Sequence, residues 1–242
     1  MAAHVFVEDL VRPALTAEDF HHLAHVLRLR PGEAVSVADG RGSWRLCYWD
    51  GSASLCPDGD VVGGARAPAP ALTVAFVLTK GSKPEWTVQK LTEAGIDRIV
   101  VMTSARGVVR WHTERAARQL GRLRVVAREA AMQSRRLWLP SVSGPVPFET
   151  MATEGGVALS HISGAPLTLG TPTVLVGPEG GWSDDELACV PVKVRLGPHV
   201  LRAETAAVAA GIMLSALREG LVSCAAPGAA SVGTPDASAR VV

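Results

Sequence analysis

Five short apolar runs constrain this chain more than any other feature: Leu72–Leu78, Ile99–Met102, Val157–Ser160, Thr173–Val176 and Val192–Leu196. Helical patterns separate them. Strands that alternate with helices predict an α/β unit with a largely parallel sheet, because parallel neighbours need a crossover between them. At 242 residues the chain can hold one large domain or two small ones around a sizeable core. Its apolar share of 48% and charged share of 19% are those of a soluble globular protein. The longest near-apolar stretch, Ala206–Leu217, is too short to span a bilayer. The first residues, MAAHVFVEDLVRPA, have neither the basic start nor the apolar run of a signal peptide, so a cytoplasmic protein is expected.

Ahead of these runs the rhythm differs. Thr16 can cap a short helix reaching Leu27, with Asp19 at the capping-box position, and Pro31-Gly32 then makes a turn. Short β-type runs at Ala34–Ala38 and Trp44–Trp49, broken by Asp39-Gly40, suggest a small barrel. The stretch Pro57 to Pro70 (PDGDVVGGARAPAP) is Pro-, Gly- and Ala-rich and reads as a linker. Beyond it, Ser82-x-x-Glu85 is a capping box with Gly95 as the helix stop, and Thr113 opens an arginine-rich helix. The last helix runs from about Glu204 to Arg218, with Gly220 just beyond. From Leu221 onward small residues dominate without an apolar face, which predicts a disordered tail.

The chemistry gathers at two bends. Residues 175–187, LVGPEGGWSDDEL, run from a strand through Gly177, Gly180 and Gly181 into the capping box Ser183-x-x-Glu186. A strand-to-helix crossing is where α/β proteins bind ligands, and missing side chains let a ligand approach the backbone. Neither phosphate fingerprint is present, and Glu179 with two aspartates would repel phosphate, so a neutral or cationic ligand fits better. Residues 194–206, VRLGPHVLRAETA, repeat the pattern of strand, Gly-Pro turn and helix. The two bends could wall one pocket, with Arg202 and Glu204 at its rim.

The net charge of +1 conceals an arginine run. From Arg106 to Arg136 it includes Arg110, Arg115, Arg118, Arg122, Arg124, Arg128 and Arg135, opposed by Glu114 and Glu129. Like charges along one side of a helix cost stability unless an anion is expected, so nucleic-acid contact competes with a plain solvated face. Four cysteines show no CxxC pairing. A two-residue loop at Asp50-Gly51 would set Cys47 opposite Ser54, not Cys56, which argues for free thiols. His21 and His25 in HHLAH lack the glutamate and third ligand of a zinc helix, so no metal site is expected. Lys90 and Glu93 form either an ordinary one-turn pair or part of a shaped interface.

Five blocks in order carry a family resemblance. LVGPEGGWSDDEL and VRLGPHVLRAETAA resemble the two signature loops of the ribosomal RNA uridine N3-methyltransferases of the SPOUT superfamily (RsmE type). KGSKPEWTVQKLTEAGIDRIV is similar to that family's first conserved-domain block, with Lys90 and Glu93 at matching places. REAAMQSRRLWLP is similar to another through Gln133, Ser134, Arg136 and Pro140. HVLRLRPGEAVSVADG resembles its N-terminal PUA-like barrel through Arg28, Gly32, Asp39 and Gly40. The likeness covers about residues 4–219; Ala203 and Trp182 depart from the pattern.

The resemblance implies an α/β fold: a SPOUT domain with a trefoil knot over 71–220, a PUA-like β-barrel over 1–66, and the tail at 221–242. It implies S-adenosylmethionine (SAM) as cofactor, held largely by backbone at Leu159, Ser160 and His161, at Val176, Gly177, Pro178, Glu179, Gly180 and Gly181, and at Leu196, Gly197, Pro198 and Leu201. Glycines 177, 180 and 181 would let the main chain reach the cofactor, and Glu179 suits a sulfonium cation. It implies methylation of uridine N3 in the 16S RNA of the small ribosomal subunit by a homodimer. Arg202 and Glu204 are the candidate catalytic pair, and Arg28, Arg106, Arg135 and Arg136 the candidate RNA contacts. Ribose 2′-O methylation and a non-catalytic ribosome-assembly role are the alternatives.

Overall fold

In the computed structural model, which describes residues 3–79, 81, 83–111 and 113–223, two sheets account for the strands. The first is four-stranded, in the order β1 (Ala3–Phe6), β2 (Ala34–Ala38), β3 (Trp44–Trp49), β4 (Leu55–Val62). β1 runs parallel to β2, and the other pairs are antiparallel. Val35, Val37, Cys47 and Trp49 point from these strands into a core shared with Leu23. Leu23 lies in the π turn His22–Val26 that continues helix α1 (Ala17–His21). Thr16 does cap α1: its hydroxyl accepts from the Asp19 amide at 3.1 Å.

Two readings of this region change. β4 extends to Val62, so the first six residues of the expected linker belong to an edge strand whose residues beyond Leu55 are exposed. The β3–β4 connection is also longer than two residues, since Trp49 pairs with Leu55 and Cys47 sits opposite Pro57. Cys47 and Cys56 are thus one register step apart and unbridged.

The second sheet is six-stranded and parallel in every pairing. Its order is β10 (Lys193–Arg195), β8 (Val157–Pro166), β9 (Thr173–Val176), β5 (Thr73–Val77), β6 (Arg98–Thr103), β7 (Ser141–Pro147). β5 (TVAFV) and β9 (TVLV) are buried at every position, as parallel strands covered on both faces require. One face packs on α2 (Lys83–Glu93), α3 (Thr113–Gln133) and α6 (Ala203–Arg218). The other packs on α4 (Phe148–Ala152) and α5 (Asp184–Cys189) through Phe148, Met151 and Val190. Gly95, at φ 92°, ends α2 as expected. Ser82 of the expected α2 capping box lies outside the described residues, as do residues 224–242 of the expected tail.

Arg128 and Arg136 of the arginine run are occupied inside the protein, while Arg106, Arg110, Arg115, Arg118, Arg122, Arg124 and Arg135 are exposed. Arg128 makes a two-pronged pair with Asp19, 2.7 Å on each arm, and also donates to the Phe6 carbonyl, tying α3 to the first sheet. Arg122 pairs with Glu85 and Arg124 donates to the Val142 carbonyl. Arg136 donates to the Thr92 and Ile96 carbonyls and pairs with Asp97; its side chain is 12% exposed. Burial pulls the Arg136 pKa down despite Asp97. Such a guanidinium is already occupied, so Arg136 is withdrawn as an RNA contact.

His4 makes a second tie between the sheets. Its Nε2 donates to the Arg136 carbonyl at 3.1 Å and its Nδ1 faces the Ser36 hydroxyl at 2.8 Å. Burial, joined by the charge of Arg135 and opposed by the Arg136 carbonyl, holds its pKa below the ordinary 6.5. The folded ring therefore stays neutral where the unfolded one takes a proton. That contribution to stability is whole above about pH 6.5 and is lost as pH falls through the folded value. The urea midpoint is expected to fall more between about pH 7.5 and about pH 5.5 in the parent chain than in His4→Gln. Equal falls would remove His4 from the acid response.

Candidate active site

A cavity of about 390 Å³ opens where the C-terminal ends of β9 and β10 meet the middle of β8. Both Gly-Pro bends wall it. Val176, Gly177, Pro178, Glu179 and Gly181 come from the first bend, and Leu196, Gly197 and Leu201 from the second. Ser160 and His161 come from β8. These expected positions are brought together. Leu159, Gly180 and Pro198 are not among the lining residues: Leu159, in β8, is fully buried in the cluster that holds Met102, Met151 and Trp182.

The first bend is held by its own helix start. Ser183 and Glu186 form the expected capping box: the Ser183 hydroxyl accepts from the Glu186 amide and the Glu186 carboxylate accepts from the Ser183 amide at 2.8 Å. The other oxygen of Glu186, a residue only 4% exposed, accepts from the Ala105 amide at 2.8 Å. One carboxylate thus ties the bend to the β6 exit. Arg106 follows, lines the cavity and donates to the Gly180 carbonyl at 3.2 Å. It closes the cavity rim, which a reading of Arg106 as an RNA contact had not foreseen.

The three glycines differ in their surroundings. A Cβ on Gly177 would stand 2.9 Å from the Trp182 ring, so this glycine makes room for a side chain. Trp182 is 6% exposed, donates to the Ser160 carbonyl at 3.1 Å and packs on Phe148. Gly181, at φ 68°, supplies a left-handed bend with open space beside it. Gly180 sits against Arg106. Trp182, Ile162, Leu187, His199, Val200, Ala203 and Ala206 also line the cavity and were missed. The signal was present for Trp182, inside the quoted bend; the others depend on how the bends fold over α5 and α6.

Arg202 and Glu204 do not line the cavity, though Leu201 and Ala203 beside Arg202 do. Arg202 is the N-cap residue of α6 and is exposed. Glu204 pairs with Lys83 at 3.0 Å, and Lys83 also reaches Glu179 at 3.8 Å. Burial works to raise the Glu204 pKa, but the helix-start amide, Lys83 and Arg202 outweigh it and hold the carboxyl below its ordinary range. Lys83, not singled out from the sequence, thus joins α2 to both bends. Arg28 and Arg135 are exposed and far from this set in sequence; both adopt positive φ, 54° and 56°. Among the described residues no group of His, Cys, Asp and Glu is arranged to hold a metal, and no helix is long and apolar enough to cross a membrane.

Comparison with known proteins agrees with this architecture. A family model described as an RNA methyltransferase domain matches residues 66–215, and one described as an RNA methyltransferase PUA domain matches residues 15–48. The ribosomal RNA small subunit methyltransferase E of Mycobacterium bovis is 34% identical over 218 residues, covering 78% of this chain and 80% of that one. Its counterpart in Synechocystis is 35% identical over 228 residues, 85% of this chain and 73% of that one. The crystal structure of ribosomal RNA small subunit methyltransferase E from Neisseria gonorrhoeae, bound to S-adenosyl methionine, superposes with a TM-score of 0.73. It is 23% identical and covers 90% of this chain and 98% of that one, a likeness of fold. With an α/β domain and an N-terminal PUA-like unit arranged as in these relatives, the chain belongs to the ribosomal RNA small subunit methyltransferase E family.

Proposed function

We propose that this chain is a SAM-dependent methyltransferase acting on N3 of a uridine in the 16S RNA of the small ribosomal subunit. The observation that carries the reading is the single cavity walled by both Gly-Pro bends at the strand ends. Its residues suit the cofactor. Val176, Trp182 and Leu187 offer apolar surface for a purine, while Glu179 and Arg106 offer counter-charges for a sulfonium and an amino-acid carboxylate. Bound SAM would supply the activated methyl group.

The protein's share is orientation and the handling of one proton. Holding uracil in line can lower a barrier by roughly 7–11 kcal/mol at best. As N3 loses its proton, charge develops on the flanking carbonyl oxygens. Arg202, exposed between two cavity-lining residues, is the proposed donor to them. Glu204 is a weak base, since its carboxyl is held low and paired, so its proposed role is to position Lys83 at the rim. Arg28, Arg106 and Arg135 remain the proposed RNA contacts, with Arg106 at the edge of the cavity itself. The proposal also includes a trefoil knot within 71–220, a barrel unit at 1–66, a cytoplasmic location and a homodimer.

Mass spectrometry of 16S RNA from cells with and without the protein tests the reading. One base-methylated uridine is expected to vanish with the protein; a lost ribose methyl, or no change, would overturn the N3 assignment. In the purified chain, Arg202→Ala is expected to lose methyl transfer while keeping SAM affinity by calorimetry. Loss of both together would make Arg202 part of the cavity wall.

A further inference from the structure

A second cavity, of about 410 Å³, opens between the start of α2, α3 and the segment 106–111. The two cavities draw on the same two stretches of chain: Arg106 lines the first and Val109 and Trp111 the second, and Lys83, paired with Glu179 of the first bend, precedes Pro84 of the second cavity. Its size falls in the range of ligand sites, about 300–1,000 Å³. The lining is mixed in a particular way: one aromatic face from Trp111, one amide from Gln119, and two guanidinium groups from Arg115 and Arg122.

The hydroxyl of Thr79 gives an independent sign of a ligand. Thr79 is 5% exposed, lines this cavity, and its Oγ1 has no hydrogen-bond partner among the described residues. Buried hydroxyls are rarely left unpaired, and this one borders open space. The one carboxylate present, Glu85, is paired with Arg122 at 3.3 Å, which offsets its repulsion of an anion. A flat ring with hydrogen-bonding edges and an attached phosphate matches this set of groups. An aliphatic ligand would leave the amide, hydroxyl and guanidinium groups unused.

We propose that this cavity is a second nucleotide subsite, taking one unpaired nucleotide that neighbours the uridine to be methylated. The inference rests on the RNA-methylation reading above. The base stacks on Trp111, its edge bonds to the Thr79 hydroxyl and the Gln119 amide, and its phosphate meets Arg115 and Arg122. Stacking tolerates any base, so the subsite adds affinity and register more than sequence choice. It also gives part of the arginine-rich helix an RNA-facing role that Arg128 and Arg136 do not have.

Fluorescence anisotropy with a labelled oligouridylate tests this on the full chain, alongside calorimetric SAM titration of the same samples. Trp111→Ala is expected to weaken oligouridylate binding about 5- to 150-fold, the range for loss of one aromatic stacking partner, with SAM affinity unchanged. Trp111→Phe is expected to restore most of the affinity, which a merely structural role in packing volume would also need melting curves to mimic; the melting temperatures of Trp111→Phe and Thr79→Val are expected to match the parent. Thr79→Val removes the hydroxyl at near-constant volume and is expected to weaken binding about 2- to 10-fold. Parent-like oligouridylate affinity in both Trp111→Ala and Thr79→Val overturns the subsite, as does failure of the parent chain to bind the probe. Failure to bind SAM with the RNA effects intact would instead sink the methyltransferase reading, leaving a nucleotide-binding cavity but overturning its place beside a methylated uridine.

Discussion

Replacing Arg128 with methionine is expected to lower the unfolding free energy by about 3–5 kcal/mol at neutral pH. The reason is the state in which Asp19 is left. Its side chain is 2% exposed and both oxygens accept from Arg128 at 2.7 Å. Burial pushes the Asp19 pKa up, but the bonds from Arg128 and Thr16 overcome that and hold it below the ordinary carboxylate range. Without the guanidinium, the Thr16 hydroxyl remains as a donor and a buried carboxylate lacks its counter-charge. The variant should therefore regain part of its stability on acidification, once Asp19 can take a proton. The double change Arg128→Met with Asp19→Leu is expected to recover much of the loss, because an apolar pair leaves no charge stranded. Urea unfolding of the three variants gives the result. A loss below about 1 kcal/mol in Arg128→Met would show that the pair behaves as an exposed one.

The second large effect is expected at Gly164→Val. A Cβ at this position would lie 2.4 Å from the Val194 carbonyl carbon and 2.5 Å from its nitrogen. These are backbone atoms, so no rotamer change relieves the clash. β10 must move away from β8, at a point where their register already shifts between Lys193 and Val194. Overpacking typically costs about 1–3 kcal/mol, and contact with main chain on this scale puts the cost at or above the upper end. Function should fall with it. β10 leads directly into Leu196 and Gly197, which wall the cavity proposed for SAM. Urea unfolding and calorimetric SAM titration are expected to show lower stability and at least tenfold weaker binding; unaltered stability would mean that β8 and β10 separate without strain.

Much of the site was legible because its residues are close in sequence. The first bend is announced by Gly177, Gly181 and the Ser183–Glu186 box, features that local turn and capping chemistry dictate. The second follows the same pattern, and the strands β5, β6, β9 and β10 appear within a residue or so of their apolar runs. β7 was missed because Ser141–Pro147 carries a glycine and two prolines, which local propensity scores against a strand. The reach of β4 into the expected linker was missed for the same reason, with Pro57 and Gly59 on an exposed edge.

What tertiary structure alone decided is the partner of each charge. Nothing local distinguishes Arg128, which finds Asp19 109 residues away, from Arg115, which faces a cavity. Nor does it say that Glu204 would meet Lys83, that Glu186 would hold the Ala105 amide, or that Gly177 would make way for Trp182. Spacing along the chain dictates periodicity, caps and turns, since those forces act within a few residues. Pairing between charges, and the choice between a ring and a ligand over a glycine, depend on which surfaces the packed sheet brings within hydrogen-bond reach. For this protein the sequence therefore determined where the strands end and which bends follow them. The folded sheet determined which side chains those bends leave open to a ligand.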